Sequence, residues 1–165
     1  PRDPNSAMLK AFSGVKTFDY SPSFNVTATL EVASAPKEVV VGTVVEGLTQ
    51  AYVSPGVLSF EIEGTACHLT AFEQAGTKDL VILFRDATSG KSSYGTARSV
   101  TAKHHADGTY SIDFNFSSNF FCAYTDFATC PIAPVENNLP VAIAAGESLP
   151  DARITAEGIK EQVAK

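Results

Sequence analysis

The sequence contains no tryptophan, one methionine and nine leucines among its 165 residues. Valine, isoleucine and threonine together number 37. These β-branched side chains are stiff at χ1 and suit a pleated surface better than a helix. The scarcity of leucine and methionine, set against this excess, excludes an all-helical bundle and predicts a chain dominated by β-strands.

Long apolar runs and clustered positive charges are also missing. No run approaches the roughly 18 apolar residues that a membrane-spanning helix needs. Twelve Lys and Arg residues are dispersed among 18 Asp and Glu residues, which gives a formal net charge of −6. A chain without a basic stripe is a poor partner for nucleic acid or for an anionic membrane. The sequence therefore predicts neither partner.

The start of the chain, Pro1-Arg2-Asp3-Pro4, has neither a start methionine nor the pattern of a secretory signal. We therefore expect the chain to begin within a longer sequence. The cytoplasm is slightly favoured as its compartment, and the oligomeric state is left open. Because the length suits one hydrophobic core, we expect a single β domain over residues 1–147 and a weakly helical extension over residues 148–165.

Polar and apolar residues alternate in several short segments. Residues 24–32 alternate strictly and predict a half-buried antiparallel strand, whereas residues 80–84 are all apolar and predict a central one. Ser54-Pro55-Gly56 has the composition of a tight turn. A second turn is expected at Ser89-Gly90, with the Asp86 and Thr88 side chains bonded to its backbone. Short strands at this spacing predict an all-β fold, a single antiparallel barrel or sandwich.

Two segments depart from this pattern. Residues 117–140 show no period and contain several prolines, which predicts a long irregular loop that closes the rim of the barrel. Residues 151–165 are polar and alanine-rich, with Ile154, Ile159 and Val163 roughly on one side. This last pattern predicts a short C-terminal helix interrupted by Gly158.

A set of short motifs occurs in a fixed order along the chain. They are Ser54-Pro55-Gly56, the run from Phe84 to Lys91, Tyr94-Gly95 with Arg98, Asp107-Gly108, Asp113-Phe114-Asn115, Cys122-Ala123-Tyr124, Cys130-Pro131-Ile132, Glu136-Asn137, Leu139-Pro140-Val141 and Ala145-Gly146-Glu147. Together they resemble the domain-of-unknown-function family numbered 1684, which is found largely in bacteria, over the C-terminal half of its usual length. The family has an Asn-Pro-Pro-Cys motif where this chain has Asn119-Phe120-Phe121-Cys122. The resemblance implies no activity.

The candidate binding residues come from one predicted hairpin and the loop after it. Asp113 and Asn115 lie on the same face of their predicted strand, and Tyr94 and Arg98 come from the arm expected to pair with it. An Arg98–Asp113 ion pair beside Tyr94 would orient a small polar ligand, because arginine binds carboxylates and phosphates through its planar fork. Cys122 is the fifth candidate. Alternatively, Asp113 and Asn115 are solvated or bonded to a neighbouring loop.

Cys122 and Cys130 are separated by eight positions within the irregular loop. They are a candidate disulfide in an oxidising compartment and are expected to be reduced in the cytosol. Their spacing matches no paired-cysteine zinc motif, so no metal site is predicted. Cys122 is also a candidate nucleophile, although nothing in the sequence brings a histidine near it.

Three functions remain open at this stage. The first is a small polar-ligand-binding β-barrel without enzymatic activity, in which the aromatic residues between Tyr110 and Phe127 line a pocket rather than simply filling the core. The second is an enzyme of hydrolase or transferase type that uses Cys122 as a nucleophile or Asp113 as an acid or base. The third is an interaction module whose long loop docks on a missing N-terminal part. No cofactor is predicted for any of them.

Overall fold

The computed structural model describes residues 14–162, and β-strands are its main regular structure. The predictions for Pro1-Arg2-Asp3-Pro4 and for Val163 therefore lie outside the described residues. The strands are β1 Asn25–Gly42, β2 Thr49–Ile62, β3 Thr65–Glu73, β4 Leu80–Phe84, β5 Arg98–His104, β6 Tyr110–Asp113, β7 Ser118–Asn119, β8 Ala152–Thr155 and β9 Gly158–Glu161. In residues 14–162 the helical segments are single 3-10 turns, and no helix there is long and apolar enough to cross a membrane.

Six strands close into an antiparallel barrel. Their order is β4-β3-β2-β1-β6-β5, and a further pairing of β4 with β5 completes the ring. Closure pairs β4 with β5, the two strands that would be the outer edges of an open sheet. The predicted all-β antiparallel barrel is confirmed, and the sandwich alternative is not needed.

The barrel is filled by the inward-facing residues of these strands. Alternation along β2 illustrates how the core is chosen, since Leu58, Phe60 and Ile62 are buried while Glu61 is exposed. Successive side chains of a strand point to opposite faces, so every second residue enters the core. The other fully buried core residues include Leu69, Ile82, Phe84, Ile112, Phe114 and Ile143.

The tight turn predicted at Ser54-Pro55-Gly56 is wrong, because these residues lie inside β2. They mark a sharp irregularity instead: Val32 pairs with Gly56, but the next pair along is Lys37 with Ser54. A Cβ atom on Gly56 would lie 2.1 Å from the Glu31 carbonyl oxygen, so only glycine fits. The turn-forming residues therefore bend a long strand where the sequence predicted a break.

The predicted C-terminal helix is also wrong. Residues 152–161 form a two-stranded antiparallel hairpin in which Ile154 pairs with Ile159 and Thr155 with Gly158. β-branched residues at these positions favour a strand over a helix, and Gly158 has a positive φ of 122° beside the turn. Ile154 exchanges backbone hydrogen bonds with the loop at Tyr124 and Asp126, so the hairpin is attached to the long loop.

Candidate functional site

The barrel has two ends with different structures. Phe84 pairs with Arg98 at one end of the β4–β5 ladder, and Leu80 pairs with Ala102 at the other. We call the first the closed end, because residues 117–147 cover it, and we call these residues the covering segment. The loop is fixed there by hydrogen bonds from Arg85 N to Asn137 O and from Leu139 N to Arg85 O. The second is the open end.

Arg98 lies at the closed end and does not pair with Asp113, so the predicted ion pair is wrong. Its Nη2 is 2.8 Å from Asp86 Oδ2, and the two side chains are 1% and 0% exposed. The guanidinium also donates to the backbone carbonyls of Ile143 and Ala145, at 2.8 and 2.6 Å. Arg98 is thus a buried cation that links β5 to the covering segment.

Aromatic rings and the Asp86 carboxylate surround the guanidinium. Its central carbon lies 5.1 Å from the Phe84 ring centre and 5.9 Å from that of Phe18. Burial lowers the pKa of Arg98, and the attraction of Asp86 opposes that shift. The pair fills this end of the barrel and leaves no room for a ligand between its charges.

Asp86 also organises the turn that follows β4, as predicted. Its Oδ1 accepts hydrogen bonds from the Thr88 backbone N at 2.7 Å and the Thr88 hydroxyl at 2.6 Å. The Ile143 backbone N donates to the same oxygen at 3.2 Å. One buried carboxylate therefore fixes the turn, Arg98 and the covering segment.

Asp113 and Asn115 form a structural clamp. The Asn115 backbone N and side-chain Nδ2 both donate to Asp113 Oδ1, at 3.0 and 2.8 Å. Asn115 also bonds the backbone of Ser21 twice, since Oδ1 accepts from Ser21 N and Nδ2 donates to Ser21 O. This geometry matches the alternative in which the two side chains bond a neighbouring loop.

Tyr94 and Cys122 belong to a third buried group. Cys122 is joined to Cys130 by a disulfide, and both pack with Tyr94 and Ala123. A cysteine in this state has no thiol, so it cannot act as a nucleophile. Cys67 is the free cysteine of the described residues and is buried in the core.

The open end contains a cleft of about 650 Å³ that none of the five predicted residues lines. Its lining includes the apolar or aromatic residues Leu30, Leu80 and Tyr110, together with residues of β2 and of the turn between β3 and β4. The remaining lining residues are Ala51, Tyr52, Val53, Pro55, Glu73, Gln74, Ala75, Gly76, Thr77, Lys78, Asp79 and His104. The lining thus combines apolar and polar groups in similar measure, which suits an amphipathic ligand.

Two linked contacts organise the polar side of the cleft. Asp79 accepts from Lys103 Nζ at 2.8 Å and from the His104 backbone N at 2.9 Å. These hydrogen bonds, that of Lys103 first, lower the pKa of Asp79. The His104 ring packs edge-on against Tyr110, with centres 5.2 Å apart. Burial raises the pKa of Tyr110, and the negative charge of Asp79 adds to the shift, so its hydroxyl remains a donor at neutral pH.

The arrangement offers apolar and hydrogen-bonding groups to a ligand. Within residues 14–162, no three His, Cys, Asp or Glu side chains are grouped so as to hold a metal ion. The signal for the cleft was present in the sequence as Ser54-Pro55-Gly56. Sequence reasoning interpreted it as a turn between strands and so missed the opening that it creates.

Comparison with known proteins places the chain in a family. The family model described as "Protein of unknown function (DUF1684)" matches residues 10–148. None of the curated proteins matches this chain. A similar solved structure is the solution NMR structure of an uncharacterised protein from Haloarcula marismortui. It is 34% identical with a TM-score of 0.67, and the match covers 85% of this chain and 78% of that one. The chain therefore belongs to the DUF1684 family of proteins of unknown function.

Proposed function

We propose that this protein is a non-enzymatic ligand-binding β-barrel whose site is the open-end cleft. The observation that carries the proposal is the contrast between the two ends. At the closed end, the Arg98 and Asp86 side chains are buried and bond each other and the covering segment. At the open end, a cleft of about 650 Å³ offers both apolar surface and polar groups.

The lining favours a small amphipathic ligand. Leu30, Leu80 and the Tyr110 ring would bury an apolar body, while hydroxyl and imidazole groups at the rim would hydrogen-bond a polar head. Asp79 is already neutralised by Lys103, and Lys78 and Glu73 carry opposite charges. The cleft therefore has no strong preference for an ion of either sign.

Chemical-shift mapping with three fragments that share one ring tests this proposal. Benzyl alcohol, benzoate and benzylamine are titrated separately into ¹⁵N-labelled protein. We expect saturable shifts of the Tyr52, Leu80, His104 and Tyr110 amides, strongest with the neutral alcohol, and no shifts around Arg98. Shifts confined to the closed end, or no saturable shift with any fragment, would overturn the proposal.

A matched pair of variants makes the test specific. Val53 lines the cleft and is 43% exposed, whereas Val40 lies on the neighbouring strand, does not line the cleft and is 58% exposed. Val53→Arg places a long cation in the cleft and should weaken fragment binding. Val40→Arg makes the same change elsewhere on the β1–β2 hairpin and should leave fragment binding unchanged.

A further inference from the structure

The open-end cleft meets β2 at its backbone edge. Ala51, Tyr52 and Val53 are consecutive residues, and all three line the cleft. Because successive side chains of a strand point to opposite faces, a ligand resting on one face would meet only every second residue. A cleft lined by three in a row therefore approaches the edge of the strand, where its N–H and C=O groups point.

This edge of β2 has no strand beside it. The ladder with β3 ends at the pair Gly56–Ala71, while the ladder with β1 continues to the pair Thr49–Gly42. Over Thr49–Val53, in the described part of the chain, backbone hydrogen bonds to a neighbouring strand come from β1 alone. Pro55 has no N–H to donate, which explains why β3 separates at this point.

The edge also lacks the features that normally block strand addition. Prolines, charged residues and bulges protect exposed edges from pairing. The part of β1 that pairs with Thr49–Val53 is Glu38–Gly42, which contains one charge, Glu38, and whose Gly42 carbonyl accepts a hydrogen bond from Ile132 N. The β2 segment, Thr49-Gln50-Ala51-Tyr52-Val53, has neither a proline nor a charge.

We propose that the ligand of the open-end cleft is a short, neutral peptide in extended conformation, which adds as a strand to the free edge of β2. Its alternate N–H and C=O groups would bond the β2 backbone, and its inward side chains would meet Leu30, Leu80 and Tyr110. The opposed charges of Glu73 and Lys78, and the paired charges of Asp79 and Lys103, match a neutral segment. This inference rests on the proposed site and names its ligand class.

The test uses an acetylated and amidated pentapeptide of alternating valine and threonine, together with two N-methylated forms. One form is methylated on the amides of the valines and the other on those of the threonines. Only one of these two sets faces β2 in a bound strand. We expect the parent peptide and one methylated form to bind with similar affinity, and the other form to bind at least about tenfold more weakly.

Three outcomes separate this inference from the proposed site. If fragments bind the cleft but the parent peptide does not, the peptide inference fails and the site stands. If both methylated forms bind as well as the parent, strand addition is wrong, because the backbone is not recognised. If neither fragments nor peptides bind, both proposals fail. Val53→Arg should abolish peptide binding and Val40→Arg should retain it; equal loss in both would contradict binding at the edge of β2.

Discussion

Arg98 Nη2 and Asp86 Oδ2 lie 2.8 Å apart within the closed end of the barrel, and neither side chain is more than 1% exposed. Removing one partner would leave an unpaired charge in an apolar environment. Arg98, on which the sequence-based binding hypothesis centred, thus belongs to a buried ion pair of the fold. Arg98 Nη1 and Nη2 donate to one carboxylate and to backbone carbonyls, whereas its buried Nε has no hydrogen-bond partner among the described residues.

The variants Arg98→Met and Asp86→Asn should each lower the free energy of unfolding by about 3–5 kcal/mol. The double variant should lose less unfolding free energy than the sum of the two single losses, because neither charge is then left unpaired. Lys103→Met, which breaks an exposed ion pair, should cost far less. Urea unfolding of the four variants measures this, and equal losses for Arg98→Met and Lys103→Met would contradict the structural role.

Among the side-chain amides of the covering segment, that of Asn137 should contribute most to the free energy of unfolding. It is fully buried, and its Oδ1 accepts from Thr70 N while its Nδ2 donates to Thr70 O and Leu83 O, each at 2.8 Å. Asn137→Leu leaves three backbone groups without partners and should cost at least about 3 kcal/mol of unfolding free energy. The neighbouring Asn138 is exposed, so Asn138→Leu is a matched control that should change stability little. A loss below about 1 kcal/mol for Asn137→Leu would contradict this role.

The Cys122–Cys130 disulfide should stabilise both its own loop and the neighbouring tip of the β1–β2 hairpin. In a chain-entropy model, closing a loop of this length contributes about 2–3 kcal/mol. Cys130 O also accepts from Val44 N at 3.0 Å, so the loop supports the tip of the β1–β2 hairpin. The Cys122→Ala/Cys130→Ala double variant should lose this stability, and its Val44 amide should exchange faster. Dithiothreitol should destabilise the wild type but not the double variant; equal sensitivity would contradict the account.

Tyr124 should make stability depend on alkaline pH. Burial, with the Glu147 carboxylate that accepts its hydroxyl hydrogen, raises the pKa of Tyr124 to about 12. The folded form therefore holds this proton more tightly than the unfolded chain, whose tyrosine titrates near about 10. The stabilisation is complete below about pH 10 and is lost as the pH rises towards about 12.

The Tyr124→Phe variant provides the control for this pH dependence. It should lack one late step in the tyrosinate absorbance titration, and its stability should fall less steeply above about pH 10. A wild-type titration in which all five tyrosines ionise together near pH 10 would contradict the burial of Tyr124.

The fold could be predicted because alternation is a local property. The pattern of residues 24–32 is determined by which face is buried, and it survives in β1 although that strand extends to Gly42. Ser54-Pro55-Gly56 was misinterpreted because turn-forming residues also make bends within strands. Whether the chain reverses or bends there depends on the neighbouring strand. Here the Glu31 carbonyl of β1 lies so close to Gly56 that a side chain at this position would not fit.

The candidate site was harder to predict because its contacts are not local. The expected strand pairing predicted an ion pair between Arg98 and Asp113. In the structure β6 ends at Asp113, whose carboxylate accepts a hydrogen bond from Asn115 N. The actual partner, Asp86, lies in a turn, and the other acceptors, such as Ile143 O, are backbone groups with no sequence signal. The cleft arises where β3 separates from β2 beside Pro55, and the sequence Ser54-Pro55-Gly56 by itself does not distinguish such a separation from a turn.

The free edge of β2 is the central claim, and native-state hydrogen exchange of the protein without ligand tests it most directly. We predict that amides of β2 from Val57 to Ser59, which lie between β1 and β3, are all protected. Over Gln50–Val53, the amides facing β1 should be protected and the alternate ones, which face the cleft, should exchange rapidly. Uniform protection from Gln50 to Ser59 would show that the edge is already occupied and would contradict the account.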